Sequence, residues 1–513
     1  MLPLPVAVVS GAGRMVSRAH LHSSASRKPA MLKLNDPSLL KSQCHVDGAW
    51  IGEGVDAVDN PATGDLLAKV PRFGADETTA AVEAASRAFK PWAKKSAKER
   101  SIILRKWFDL IMANQEDLAQ IMTAEQGKPL TESRGEVAYA ASFVEFYAEE
   151  AKRIYGETIP SPFPNSRIII QKQPVGVCAA ITPWNFPAAM ITRKCSPGLA
   201  AGCTFVVKPA PDTPLTAFAL IELAIRAGFP KGVLNIVTGD AVAIGKVMTT
   251  HPAVRFIGFT GSTPVGKLLM QQAASTVKKV GLELGGNAPF IVFDDADVDA
   301  AVQGAIAAKF RNMGQTCVCT NRLFVQDGIH DEFVAKFAGE VAKMKVGNGT
   351  EVGVVQGPLI NERAIEKVER HVADAVANGA KVVVGGKRHA LGRTFYEPTV
   401  LAGATTTMLM TREETFGPVA PVYRFKSEDE VVALANDTPF GLAAYFYTKD
   451  LGRAFRVAEE LEYGMVGINS AMLGTEVAPF GGVKESGLGR EGSLHGIEEF
   501  VEIKYMLMGG LGA

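Results

Sequence analysis

Val175-Gly176-Val177-Cys178-Ala179-Ala180-Ile181 is an apolar run that breaks at Thr182-Pro183-Trp184-Asn185, and the residues after it repeat that form. Outward from it the chain reads as strand 175–181, helix 187–199, strand 204–207, helix 213–227, strand 233–237, helix 241–249 and strand 254–259. Short apolar strands separated by helices mean β-α-β units, and so a parallel sheet covered on both faces. Ligands bind such sheets beyond the carboxyl ends of the strands. The turns that matter are therefore 182–185, 208–212, 239–240 and 260–262.

The last of these turns invites a misreading. Gly261-Ser262-Thr263-Pro264-Val265-Gly266-Lys267 fits the nucleoside-triphosphate loop, but Leu268 stands where Ser or Thr must hold magnesium. What is left is a helix amino terminus with Gly261 and Ser262, suited to a pyrophosphate without metal. A rival dinucleotide start, Val6-Ala7-Val8-Val9-Ser10-Gly11-Ala12-Gly13, fails on its third glycine, where Val16 stands, and no amphipathic helix follows.

Before the sheet the pattern is helical. Val82, Ala85, Phe89 and Trp92 fall at helical spacing, Ser96-Ala97-Lys98-Glu99 reads as a capping box, Gly127-Lys128-Pro129 ends a third helix, and another spans 131–153. After Pro160, Pro162 and Pro164, the β-branched Arg167-Ile168-Ile169-Ile170-Gln171 reads as a strand near a subunit edge. From Glu283 to about Ser470 strands and helices alternate again, which makes a second α/β domain.

Within that second unit Phe310-Arg311-Asn312-Met313-Gly314-Gln315-Thr316-Cys317-Val318-Cys319-Thr320-Asn321-Arg322 joins a helix to a strand. Reactive groups are commonly mounted on such connectors, and a thiol attacks only as thiolate. An isolated Cys is more often a small buried hydrophobe. Here it has company in Glu283-Leu284-Gly285-Gly286-Asn287, a lone carboxylate after the apolar run 277–282.

The 513 residues allow two or three domains. Lys plus Arg and Asp plus Glu both number 54, so net charge gives no reason to invoke nucleic acid or an anionic membrane. No apolar run reaches bilayer-spanning length. Six cysteines in so long a chain point to a reducing compartment. Residues 1–35 carry Arg14, Arg18, Arg27, Lys28 and Lys33 but no Asp or Glu, the composition of a cleaved mitochondrial presequence, so a matrix location is expected.

Glu283-Leu284-Gly285-Gly286-Asn287 followed by Gly314-Gln315-Thr316-Cys317 resembles the paired signature of the aldehyde dehydrogenase superfamily. Pro183-Trp184-Asn185-Phe186-Pro187, Glu414-Thr415-Phe416-Gly417-Pro418 and Pro479-Phe480-Gly481-Gly482-Val483-Lys484 agree with it. The resemblance implies an α/β fold of two open parallel-sheet domains plus an oligomerisation β-hairpin. The expected division is 36–153 with 173–282 for the dinucleotide, 283–489 for catalysis, and 154–172 with 490–513 for assembly into a homodimer or homotetramer. The tail 496–508 alternates as a strand would, and the resemblance implies that it pairs with a neighbouring subunit.

A carbonyl has no hydride to give until a nucleophile makes it tetrahedral. Cys317 is the expected nucleophile, with the Asn185 amide and the Cys317 backbone N–H binding the oxyanion. Asn185 is equally readable as a helix cap before Pro187. Glu283, partly desolvated, is the expected base for hydrolysis of the thioester; family members that pass the acyl group to coenzyme A lack it. The cofactor is expected to be NAD or NADP, with no metal, contacted by Thr182, Trp184, Lys208, Gly239, Gly261, Ser262, Glu414 and Phe416. At Pro211 NAD-preferring relatives often carry Glu, and without that carboxylate NADP should be tolerated.

Arg193 and Arg311 bracket the nucleophile and would grip a substrate carboxylate. Pro187 to Lys194, Arg311 to Cys317 and Gly487 to Ser493 resemble the branch of the family that oxidises succinate semialdehyde, in which a hydroxyl at the place of Thr475 also binds the carboxylate. The implied partner is thus a small aldehyde carrying a carboxylate, the implied pathway 4-aminobutyrate breakdown. Cys319 is either a bystander or a redox partner of Cys317. The rival readings are a dehydrogenase for glutarate semialdehyde or a neutral aldehyde, a nucleoside triphosphatase, and a non-enzymatic binding protein.

Overall fold

The computed structural model describes residues 31–512. Residues 1–30, and with them most of the expected presequence, lie outside the described residues. Residues 31–35 do not all stand apart from the body: Leu32 and Leu34 pack on the first core, and the Asn35 backbone N–H donates to Asp117 Oδ1 at 2.8 Å. A cleaved segment ending at 35 would cut into this packed stretch.

The alternation around Val175 forms an eight-stranded sheet, in the order Gly487–Leu488, Lys279–Glu283, Val254–Thr260, Val177–Ile181, Thr204–Lys208, Leu234–Ile236, Cys44–Val46, Ala49–Ile51. The central strands from Lys279–Glu283 to Leu234–Ile236 run parallel. Cys44–Val46, Ala49–Ile51 and Gly487–Leu488 add antiparallel edges that hydrophobic patterning did not announce, because they are only two or three residues long. Gly487–Leu488 also ties residues assigned from sequence to the second domain onto the first sheet, beside Glu283.

Strand order in this sheet reverses beside Val177–Ile181: the chain steps outward through Thr204–Lys208 and Leu234–Ile236, then returns to lay Val254–Thr260 on its other side. The turns leaving Ile181 and Thr260 therefore splay apart and open a crevice, the usual ligand position in doubly wound sheets. The apolar run drawn from 277 begins later, since Val277 takes a left-handed φ of 52° and the strand starts at Lys279.

The second sheet has seven strands, Lys381–Val384, Thr399–Ala402, Val419–Phe425, Thr320–Gln326, Ala288–Val292, Ala443–Tyr447 and Met465–Ile468, parallel except for the first. The Cys317 connector enters Thr320–Gln326, so it sits at the amino ends of these strands. Helices Gln115–Gln126 and Leu130–Glu150 pack against the first domain and reach towards that connector.

The assembly segments form a small sheet of their own within this chain. Arg167–Pro174 is the middle strand of a three-stranded sheet, between Val501–Met508 and Glu157–Ile159. The tail pairs with this strand of its own chain along its whole length, from Val501 opposite Pro174 to Met508 opposite Arg167. It also begins as a helix, Ser493–Glu498, within which Gly496 lies so close to Tyr147 that a Cβ would meet the phenol oxygen at 2.2 Å.

Candidate active site

Cys317 is half-buried in the common wall of two clefts. One, of about 960 Å³, runs between the turns after Ile181 and Thr260 and the segment 414–416. The other, of about 1030 Å³, is walled by helices Leu130–Glu150 and Ala189–Ala201 and by residues 471–474.

The local backbone explains how the thiol reaches this junction. Asn312, Met313 and Gly314 take left-handed φ values of 50°, 55° and 72° in succession, a strained path costing on the order of 1–3 kcal/mol for each non-glycine residue. Hydrogen bonds hold it: the Asn312 N–H donates to Glu132 Oε2 at 2.8 Å, and Gln126 Nε2 donates to Asn312 Oδ1 at 3.0 Å. Gly314 is required because a Cβ would lie 2.2 Å from the Gly417 carbonyl oxygen. At Gly286 a Cβ would meet the Cys317 carbonyl oxygen at 2.3 Å, so the two sequence signatures are in direct contact.

The first cleft fits a dinucleotide. Of the residues assigned to the cofactor from sequence, Trp184, Gly261, Ser262, Glu414 and Phe416 line it, together with Asn185 and Cys317. Ser262 opens helix Thr263–Ala273 and its side chain makes no cap, which leaves the terminus available to an anion. Thr260 Oγ1 is buried without a partner at the same turn. Glu414 Oε1 accepts from the Gly286 N–H at 3.1 Å, and burial pushes its carboxyl up to about 7. Arg363 and Lys367, one helical turn apart on Glu362–Ala377, also face this cleft and were missed in sequence, where nothing distinguishes them from solvated helix charges.

Thr182, Lys208, Pro211 and Gly239 are not in its wall. Thr182 and Lys208 end neighbouring strands, where the Thr182 N–H donates to the Lys208 carbonyl at 3.0 Å and Lys208 Nζ to the Pro209 carbonyl at 3.2 Å. Gly239 is a packing glycine whose Cβ would lie 2.2 Å from the Phe73 carbonyl oxygen. Pro211 borders a separate cleft, and beside it stands the half-buried Asp212, whose carboxyl accepts from Asn361 Nδ2 at 3.5 Å. The Asp212 charge acts on Lys208, against the desolvation that lowers the pKa of that lysine.

The second cleft holds both arginines. The Arg193 guanidinium lies 4.0 Å from the Phe480 ring centroid and 2.8 Å from the Glu491 carboxylate; Arg311 lies 5.3 Å from Phe186. Thr475 is not brought to this wall, which stops at Gly474; its hydroxyl donates to Glu476 Oε2 at 3.2 Å.

Asn185 is buried, and its Nδ2 donates one hydrogen to the Gln315 carbonyl at 3.0 Å, which orients the amide and leaves its second N–H unassigned. Glu283 is buried as well but faces a small adjoining cavity shared with Arg193, Lys194 and Glu491. Its Oε2 has no hydrogen-bond partner, and burial, reinforced by the Glu491 charge, raises its pKa well above the carboxylate range. Glu491 pairs with both Lys194 and Arg193. Burial pushes the Cys317 thiol up to about 12, with the Glu414 and Glu283 charges adding to it and Arg193 opposing. The resting thiol is therefore neutral and needs a base. Cys319 turns the other way: it is fully buried, accepting from Lys309 Nζ at 3.4 Å.

The profile of the aldehyde dehydrogenase family matches residues 52–506. The chain belongs to this family. Among its relatives, a 3-sulfolactaldehyde dehydrogenase of Pseudomonas putida is 61% identical over 94% of this chain and 100% of its own length. A glutarate-semialdehyde dehydrogenase of Pseudomonas aeruginosa is 60% identical over 94% and 100%, and the NADP(+) succinate-semialdehyde dehydrogenase of Escherichia coli 60% identical over 93% and 100%. The crystal structure of a succinate-semialdehyde dehydrogenase from Burkholderia pseudomallei superposes with a TM-score of 0.92 at 61% identity, covering 93% of this chain and 100% of that one. This aldehyde dehydrogenase accordingly uses NAD or NADP.

Proposed function

We propose that this enzyme oxidises succinate semialdehyde to succinate. One observation carries the reading: the thiol stands between a cleft fitted to a dinucleotide and a cleft holding two guanidinium groups. Arg193 and Arg311 hold the substrate carboxylate, and its aldehyde carbon then lies against Cys317. Thr475 adds to this grip only if residues 474–476 shift, since its hydroxyl is turned to Glu476.

Cys317 gives its proton to water in the open cleft, and its sulfur bonds to the aldehyde carbon while the carbonyl electron pair moves to oxygen. The free N–H of the Asn185 amide and the Cys317 backbone N–H stabilise that oxyanion. Trp184, Gly261, Ser262, Glu414 and Phe416 would hold the dinucleotide, which when bound would supply the hydride acceptor for this carbon; loss of the hydride leaves a thioester on Cys317. Glu283 next takes a proton from water, hydroxide adds to the thioester, and the carbon–sulfur bond breaks to release succinate. For this step Glu283 must turn from the Lys194 side towards the sulfur, and no hydrogen bond on its Oε2 opposes that turn.

The test is absorbance of reduced nicotinamide on adding succinate semialdehyde, with Cys317→Ala as control; no signal from the parent enzyme sinks the proposal. Glutarate semialdehyde is the second reading, supported by the Pseudomonas aeruginosa relative; the ratio of kcat/KM for the two aldehydes decides between them.

We also propose a mitochondrial matrix location, supported by the basic, carboxylate-free residues 1–35, and tested by fusing them to a fluorescent reporter. A homodimer or homotetramer is supported by exposed Ile503, Tyr505 and Leu507 on the edge strand Val501–Met508, with light scattering as the check.

A further inference from the structure

Lys128 was read from sequence only as part of a helix stop, yet it is a fully buried cation at the back of the substrate cleft. Its Nζ donates to Glu136 Oε2 at 2.5 Å and to the backbone carbonyl of Asn185 at 2.7 Å, over the Phe186 ring at 4.1 Å. The other oxygen of Glu136 accepts from the N–H groups of Ala188 and Ala189, at 2.9 and 3.3 Å, where the helix of Arg193 begins. The same Asn185 carbonyl accepts from Asn312 Nδ2 at 3.0 Å. Asn185 is thus fixed at both ends, its carbonyl by Lys128 and Asn312 and its side-chain amide by Gln315.

A buried ammonium and carboxylate are costly to desolvate, and hydrophobic residues of similar volume would often serve stability as well. An oxyanion donor, by contrast, acts only from the right place, and a misplacement of about 1 Å can cost about 100-fold in rate. We propose that Lys128, with Glu136 as its counter-charge, is a positioning residue that holds the Asn185 amide in register for the oxyanion formed at Cys317. The inference rests on the role given to Asn185 above and deepens it. Lys128 supplies no group to the reacting atoms; it ties the helix Leu130–Glu150 to the turn that carries the donor.

The competing role is that of a third cation for the substrate carboxylate, since Lys128 lines the same cleft as Arg193 and Arg311. Kinetics of Lys128→Met, Asn185→Ala and the double variant with succinate semialdehyde and with butanal separate these possibilities. Lys128→Met is expected to lower kcat about 30- to 100-fold for both aldehydes, with either KM and the dinucleotide Kd changed less than about threefold. In the Asn185→Ala background the same substitution is expected to cost less than about threefold, because the donor it positions is gone. A loss confined to the KM of the anionic aldehyde would make Lys128 part of the clamp and overturn the proposal. So would an unchanged kcat, or an equal loss in the Asn185→Ala background, the mark of general structural damage. If Asn185→Ala itself leaves kcat intact, the oxyanion role fails first and Lys128 with it. Should Lys128→Met not fold, the isosteric Glu136→Gln takes its place with the same expected pattern; failure of both to fold assigns the pair to stability alone.

Discussion

Arg311→Gln gives the sharpest test of substrate choice. Arg311 is half-buried, and the contact found for it is the Phe186 face at 5.3 Å, worth about 0.5–1 kcal/mol at such a site. Arg193, by contrast, is bound to Glu491, so its loss would disturb the fold as well as the clamp. A charge-assisted hydrogen bond to a carboxylate contributes about 1.5–3 kcal/mol, and 1.36 kcal/mol is tenfold in rate. Arg311→Gln should therefore lower kcat/KM for succinate semialdehyde about 10- to 150-fold. Butanal, with nothing for the guanidinium to hold, should change less than about threefold, and unfolding free energy by no more than about 1 kcal/mol. Nicotinamide absorbance under both substrates, with a urea titration as control, reads all three quantities. An equal loss for both aldehydes would show that Arg311 serves the Cys317 loop and not the substrate, and the clamp would have to be abandoned.

Glu414 should make dinucleotide affinity depend on pH, since its ionised carboxyl accepts from ribose hydroxyls more strongly than the neutral acid and burial holds that group up to about 7. The Kd should weaken as pH falls through 7 and flatten in Glu414→Gln; an unchanged slope in that variant removes the assignment. Cys319 is tested by peroxide: if it resolves an oxidised Cys317, sulfenic acid condenses with the second thiol, water leaves, and dithiothreitol restores activity. Cys319→Ala should then lose that rescue, and because its sulfur is buried against Lys309, bridging should be slow relative to the first oxidation. Gly286→Ala should abolish folding or activity, since its Cβ would stand 2.3 Å from the Cys317 carbonyl oxygen; a fully active variant would show that this contact is dispensable.

The fold was legible wherever one period dominated. Apolar strands and capped helices between Val177 and Thr260 lie within a few residues of where spacing puts them. Antiparallel edges as short as Gly487–Leu488 carry no periodic signal, and alternation in the tail specified a strand without specifying that Arg167–Pro174 of the same chain pairs with it. In the site, motif residues that enter the clefts were readable because their chemistry needs glycines and polar groups together. Gly239 and Lys208 stand outside the cleft wall, and in sequence a glycine packed on Phe73 and a strand-end lysine look the same as residues that line it. Glu491, Lys194, Lys128 and Glu136 were missed because their pairing joins residues distant along the chain. Such buried pairs leave no local mark.

The central claim is that Cys317 carries the acyl group and Glu283 delivers the water that removes it. Rapid mixing of Glu283→Gln with NADP and succinate semialdehyde, followed by peptide mass analysis, addresses both at once. About one reduced nicotinamide per subunit is expected, then arrest, with a succinyl group on the peptide bearing Cys317. Continued turnover at the parent rate, or a succinyl group on any other residue, would contradict it.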